Sequence, residues 1–134
     1  MANDCIPFYE PGGAITCQTT AAVTGKRFVA ISGNRTSGPG LATTAEGGNY
    51  RVATCAAAAK AFGVAKYDAA SGAKVGVWCQ PGIVVPVTAA ANITAGQEVE
   101  VGATGQATPL AAGKAVGMAL TAATTGNDAE IRLY

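Results

Sequence analysis

The sequence contains no histidine. That absence removes Ser-His-Asp and Cys-His catalysis, histidine-ligated zinc and any histidine proton switch. Charge is scarce as well: Asp, Glu, Lys and Arg make up 13% of the 134 residues, and nine basic against eight acidic ones leave a net charge of +1. Such a balance gives no pull toward nucleic acid or an anionic membrane, and neither is expected as a partner. The cysteines at 5, 17, 55 and 79 form no Cys-x-x-Cys, the spacing that zinc and dithiol redox sites use. They read as small buried thiols. If late disulfides form, Cys5–Cys17 and Cys55–Cys79 are the local pairs among three connectivities. No run approaches the roughly 18 apolar residues of a membrane span, and Asp4 stands where a signal peptide carries positive charge. Synthesis in a cytosol is expected, with no cofactor and no metal.

Large apolar side chains are few too. The apolar fraction is 49%, but 30 of those 66 residues are alanine, and Leu, Ile, Val and Phe together number only 25. One domain spanning 1–134 is expected from the length. Its low charge separates it from disordered chains. A core this thin favours burial between subunits, because an isolated domain of this kind is marginal.

The pattern that remains is β. Residues 1–20 read as an arm: Pro7, Pro11, Gly12 and Gly13 interrupt regular structure, while Ile6, Phe8, Tyr9 and Ile15 are apolar without a clean period. Lys26 to Ile31 reads as a strand with Phe28 and Ala30 on one face, Val29 and Ile31 on the other, and partial cover on both sides. Residues 32–49, with five glycines and a proline, form a long loop of the kind that tends to be functional. Tyr50–Thr54 resumes a strand, and Cys55–Phe62 predicts a two-turn helix from its four consecutive alanines, stopped by Gly63. Further strands follow at 64–67, 73–78, 83–87, 98–101, 115–120 and 129–133, separated by glycine turns. Pro86 argues for an edge or bulge. This spacing predicts a mainly β fold, a small antiparallel barrel or sandwich with one short helix and an extended N-terminal arm.

Few residues suggest chemistry. Ser71-Gly72-Ala73-Lys74 matches S-x-x-K, but the serine lies in a turn, not opening a helix, and the companion motifs are missing. Glu98 and Glu100 share a strand face, as paired carboxylates of glycosidases do, yet Val99 and Val101 mark the opposite face as the buried one, so both acids read as solvated. Trp78 reads as core packing in place of a stacking platform. No catalytic residue is assigned.

Gly63-Val64-Ala65, Tyr67-Asp68-Ala69-Ala70-Ser71-Gly72 and Val75-Gly76-Val77, followed by Gly82-Ile83-Val84-Val85-Pro86-Val87-Thr88-Ala89, make a distinctive rhythm. Ile93 to Gln97, Gly117 to Leu120 and Ile131-Arg132-Leu133 continue it, and Tyr9 to Gly12, Ile15-Thr16 and Phe28-Val29 begin it. In these segments the chain resembles the head decoration (capsid cement) proteins of tailed bacteriophages; the loop 32–49 does not match. The resemblance implies a non-catalytic β-rich plug on the outer surface of an expanded capsid, often a homotrimer, with the major capsid protein as partner. It also implies an extended arm that adds to the capsid protein's sheet, which makes Ile6, Pro7, Phe8, Tyr9, Glu10 and Ile15 the capsid-contact candidates. A β-rich module of a tail tube or fibre is the alternative reading.

Overall fold

The computed structural model describes residues 12–35 and 49–134. The described residues form ten strands: β1 (Ala14–Thr19), β2 (Phe28–Gly33), β3 (Tyr50–Thr54), β4 (Gly63–Ala65), β5 (Lys74–Trp78), β6 (Val84–Thr88), β7 (Glu98–Val101), β8 (Ala107–Pro109), β9 (Gly117–Ala119) and β10 (Asp128–Leu133). The mainly β expectation holds. The first five strands close into a barrel in the order β1-β3-β2-β4-β5, with β1 pairing to both β3 and β5. The last five run β6-β10-β9-β7-β8, and a parallel bridge between Ala89 and Ala107 joins the two outer strands.

These two sheets are the same structure built twice. In each, the first strand pairs antiparallel with the fifth and parallel with the third, and the second pairs antiparallel with the third and fourth. Val99 follows Val29 by 70 residues and Gly117 follows Gly63 by 54; the difference is the length of the second-to-third-strand connection. Equivalent turns precede β2, β5, β7 and β10. Each carries one bridging residue (Val23 to Ala69, Ile93 to Ala123) and one left-handed residue, at Lys26, Gly72, Gly96 and Gly126.

Each barrel fills its own interior. The first holds Cys17, Val23, Val29, Val52, Ala65, Val75 and Val77; the second places Val87, Ile93, Val99, Ala119, Ala129 and Ile131 at the matching positions. The partial cover on both faces of β2, complete at Phe28 and Val29, follows from the packing of the barrels on one another. Val29 points into the first barrel, while Phe28, with Val64 and Trp78, packs outward against the second. Small-residue strands suffice because each encloses only a narrow space.

The seam between barrels is bonded as well as packed. Thr88 N–H donates to the Lys26 carbonyl at 3.0 Å, Arg27 Nη1 donates to Thr104 Oγ1 at 3.0 Å, and Lys26 Nζ meets Asp128 Oδ2 at 2.7 Å. The Lys26 hydrogen bond, followed by that of the Thr88 hydroxyl, holds the Asp128 carboxyl below its ordinary value against some desolvation. A depressed acid contributes stability above its unfolded pKa and loses it as pH falls through the folded one. Because the pair is exposed, Asp128→Asn should cost no more than about 1 kcal/mol at neutral pH. In thermal unfolding that difference should vanish in acid.

Two expectations are corrected. The helix over Cys55–Phe62 does not form: the stretch is an irregular connection in which Ala58 is left-handed and donates its N–H to the Val101 carbonyl across the seam at 2.8 Å. Gly113 comes so close that a Cβ there would stand 2.8 Å from Ala58 Cα. The alanines serve small size at a crowded crossing, and a two-turn helix has little stability of its own to oppose that. The arm does not extend to residue 20, since Ala14–Thr19 is a central strand of the first barrel. Most of the loop expected at 32–49 lies outside the described residues; Ser32 and Gly33 belong to β2.

Candidate functional site

Of the capsid-contact candidates, Ile6, Pro7, Phe8, Tyr9 and Glu10 lie outside the described residues. Ile15 lies within β1, paired with Val77 and half-buried against the first barrel's core, so it is part of the barrel wall and not of a free arm. The described chain begins beside Trp78: a Cβ on Gly13 would lie 3.3 Å from the indole and 3.5 Å from Ile83. Trp78 is half-buried, with Lys66 Nζ 4.2 Å from its ring centroid, a cation–π arrangement on the barrel surface. Its role in packing agrees with expectation.

The side chains that hinted at catalysis have structural duties. Ser71 Oγ donates to the Thr20 carbonyl at 3.2 Å, and Lys74 Nζ donates to Asn49 Oδ1, so the S-x-x-K residues serve different partners. Glu98 is exposed and accepts the Tyr134 hydroxyl at 2.7 Å. Glu100, expected to be solvated, is buried. Its Oε2 accepts the N–H groups of Ala111 and Gly113 at 3.0 and 2.7 Å, and thereby ties the connection before β9 to β7. The Val99 and Val101 face is buried inside the barrel, but that connection covers the outer face at Glu100.

Cys17, Cys55 and Cys79 are free thiols, which excludes the Cys55–Cys79 pairing and leaves Cys17 unbridged; Cys5 lies outside the described residues. Burial, with Cys79 nearby, pushes the Cys17 thiol up to about 12. Its thiolate fraction at pH 8 is then on the order of one in ten thousand. Iodoacetamide should leave Cys17 unmodified in the native protein and alkylate it after denaturation, as read by peptide mass spectrometry. Cys17→Val should change stability by less than about 1 kcal/mol, because Val87 already fills the equivalent site in the second barrel.

Among the described residues no group of His, Cys, Asp and Glu is arranged to hold a metal ion, and no helix is long and apolar enough to cross a membrane. A cavity of about 240 Å³ lies at the seam, lined by Phe28, Phe62, Gly63, Cys79, Val116 and Leu133 among others. A second, more open hollow of about 260 Å³ is formed by Ala30, Ile31, Lys60, Ala61 and Phe62. Both are apolar-walled and neither gathers the convergent polar groups of a small-molecule site.

Residues 9–134 match the phage cement protein family. The chain belongs to that family. The cement protein is therefore a structural component of the virion capsid, which it binds and stabilises. Among solved structures it is similar to the head fiber gp8.5 N base of bacteriophage phi29, at 20% identity and a TM-score of 0.69, over 90% of this chain and 92% of that one. That likeness is one of fold. No curated protein matches the cement protein's sequence. What sequence reasoning missed in it is the doubled barrel and its seam. The signal was present in the near-repeats Lys60-Ala61-Phe62-Gly63 and Lys114-Ala115-Val116-Gly117.

Proposed function

We propose that the cement protein binds the outer surface of the expanded phage shell through the major capsid protein, as a homotrimer and without catalysis, after folding in the host cytoplasm. The segment carrying Ile6, Pro7, Phe8, Tyr9 and Glu10 is the proposed contact. The observation that carries this reading is the closure of the barrels. The first is closed outright and the second is joined across its outer strands, and closure leaves few unpaired main-chain groups on the body for another sheet to join. In this reading the segment preceding Gly12 supplies them, since strand addition draws its affinity from main-chain hydrogen bonds. By binding the expanded lattice more tightly than the compact one, each copy stabilises the expanded form by mass action.

Co-sedimentation with undecorated expanded heads, and with unexpanded procapsids, tests it. Saturable binding to expanded heads alone is expected; equal binding to both, or to neither, would overturn it. The fold shared with the phi29 head fiber N base favours a second reading, in which the protein is the base of a projecting fibre. Electron microscopy of decorated heads separates the two, since a plug ends at the shell surface and a fibre protrudes.

A further inference from the structure

The two barrels do not pack symmetrically on one another. A two-fold arrangement would bury the same face of each. Instead, the outer row of the first barrel, Ala14–Trp78–Val64–Phe28 across β1, β5, β4 and β2, turns toward the second barrel, with Phe28, Val64 and Trp78 packed against its core. The equivalent row of the second barrel, Val84–Arg132–Met118–Glu98, has no third barrel to cover it. The packing is head to tail, so one head and one tail remain open on every chain.

Both open ends carry exposed apolar groups. On the uncovered face, Val84 is 46%, Leu120 46% and Tyr134 47% exposed, beside Glu98, Glu130 and Arg132. The open tail is the part of the first barrel equivalent to what the second presents at the seam. There Val116 and Leu133 line the cavity beside Phe28, and the Val101 carbonyl accepts the Ala58 N–H. The counterparts of Val101 and Val116 are Ile31 and Phe62, which with Ala30, Lys60 and Ala61 form the open hollow; it adjoins the seam cavity, which Lys60, Ala61 and Phe62 also line, and Ile31 marks its solvent side. Ile31 is 52% exposed, and Lys60 forms no ion pair among the described residues. An acidic and apolar face thus matches a basic and apolar hollow.

We propose that copies of this chain associate head to tail, with the β7–β9–β10 outer face of one seated on the Ile31–Lys60–Phe62 hollow of the next, repeating between chains the packing that joins the barrels within one. Leu120 and Met118 supply apolar surface, and Glu98 or Glu130 faces Lys60. Such a contact is heterologous: it closes into a ring or extends into a filament according to the rotation between copies.

The test uses the isolated full-length protein, without capsids, so its failure is separate from that of the capsid reading. Sedimentation velocity over a concentration series should show the wild type associating. Ile31→Glu, which spoils the tail, and Leu120→Glu, which spoils the head, should each weaken association by about tenfold or more. Mixed one to one, the two variants should form dimers that grow no further, since each retains the half the other lacks. Circular dichroism checks that both fold, and Lys60→Glu replaces Ile31→Glu if that variant does not. A wild type monomeric to about 1 mM, a variant that associates like wild type, or a mixture that behaves as its separate components would each overturn the proposal.

Discussion

Gly63→Ala and Gly117→Ala are each expected to lower stability by about 2–4 kcal/mol, a drop in Tm of roughly 10 °C for a chain of this size. Neither glycine has an unusual backbone; the constraint is space. A Cβ on Gly63 would run into the Trp78 carbonyl and stand 2.7 Å from Val77 Cγ1. On Gly117 it would lie 2.6 Å from the Arg132 carbonyl and 2.7 Å from Ile131 Cγ2. A main-chain oxygen inside a strand ladder cannot swing away as a surface side chain can, so β4 or β9 must separate from its neighbour. Because Gly63 and Gly117 are the same position in the two barrels, both substitutions should act alike. Gly33→Ala, where a Cβ meets nothing within 4 Å, is the control and should stay within about 0.5 kcal/mol. Thermal and denaturant unfolding decide the matter. If either of these two glycines tolerates alanine as Gly33 does, the close approach of the strands is wrong.

Deleting residues 2–12 is expected to abolish binding to expanded heads while leaving the body folded, with Tm within about 3 °C of wild type. The cut stops short of β1, whose pairs with β5 run from Ala14–Trp78 to Gln18–Lys74, so both barrels keep their strands. What is lost is the segment able to add to a neighbouring sheet. Ile15→Ala should behave in the opposite way. It removes a half-buried side chain from the barrel wall and so should cost about 1–2 kcal/mol of stability while capsid binding persists below the melting transition. Capsid binding unchanged by the deletion, or lost through Ile15→Ala in a folded protein, would move the contact from the arm to the body.

Much of the fold was legible because strands this narrow advertise themselves by alternation and by the turns that end them. Tyr50–Thr54 and Glu98–Val101 appear where the pattern puts them. β8 was missed because Ala107-Thr108-Pro109 has neither length nor a large side chain to mark it. The Cys55–Phe62 stretch misled because alanine has two meanings: high helix propensity when the chain is alone, and smallness where two backbones cross. Only the long-range approach of Gly113 to Ala58 chooses between them. Glu100 misled for a related reason. Alternation identifies the inward face, yet it says nothing of whether a distant connection lies over the other. The duplication stayed hidden because the barrels share shape more than residues. Phe28 answers to Glu98 and Trp78 to Arg132, and those positions differ because one face is covered and the other is not. The family resemblance was legible for the converse reason, since it rests on short local runs such as Gly63-Val64-Ala65 and Gly82 to Ala89, which need no long-range contact to be read.

The position of β1 has a mechanical consequence. A pull applied to the chain ahead of Gly12 enters the body along β1, which is clamped between β5 over Ala14–Gln18 and β3 over Cys17–Thr19. The ladder bonds run across the direction of that pull. The load is therefore carried in shear by two ladders at once, and the bonds must fail together instead of peeling one after another. A tether fixed to a hairpin tip would unzip; one fixed to this strand resists like a lap joint.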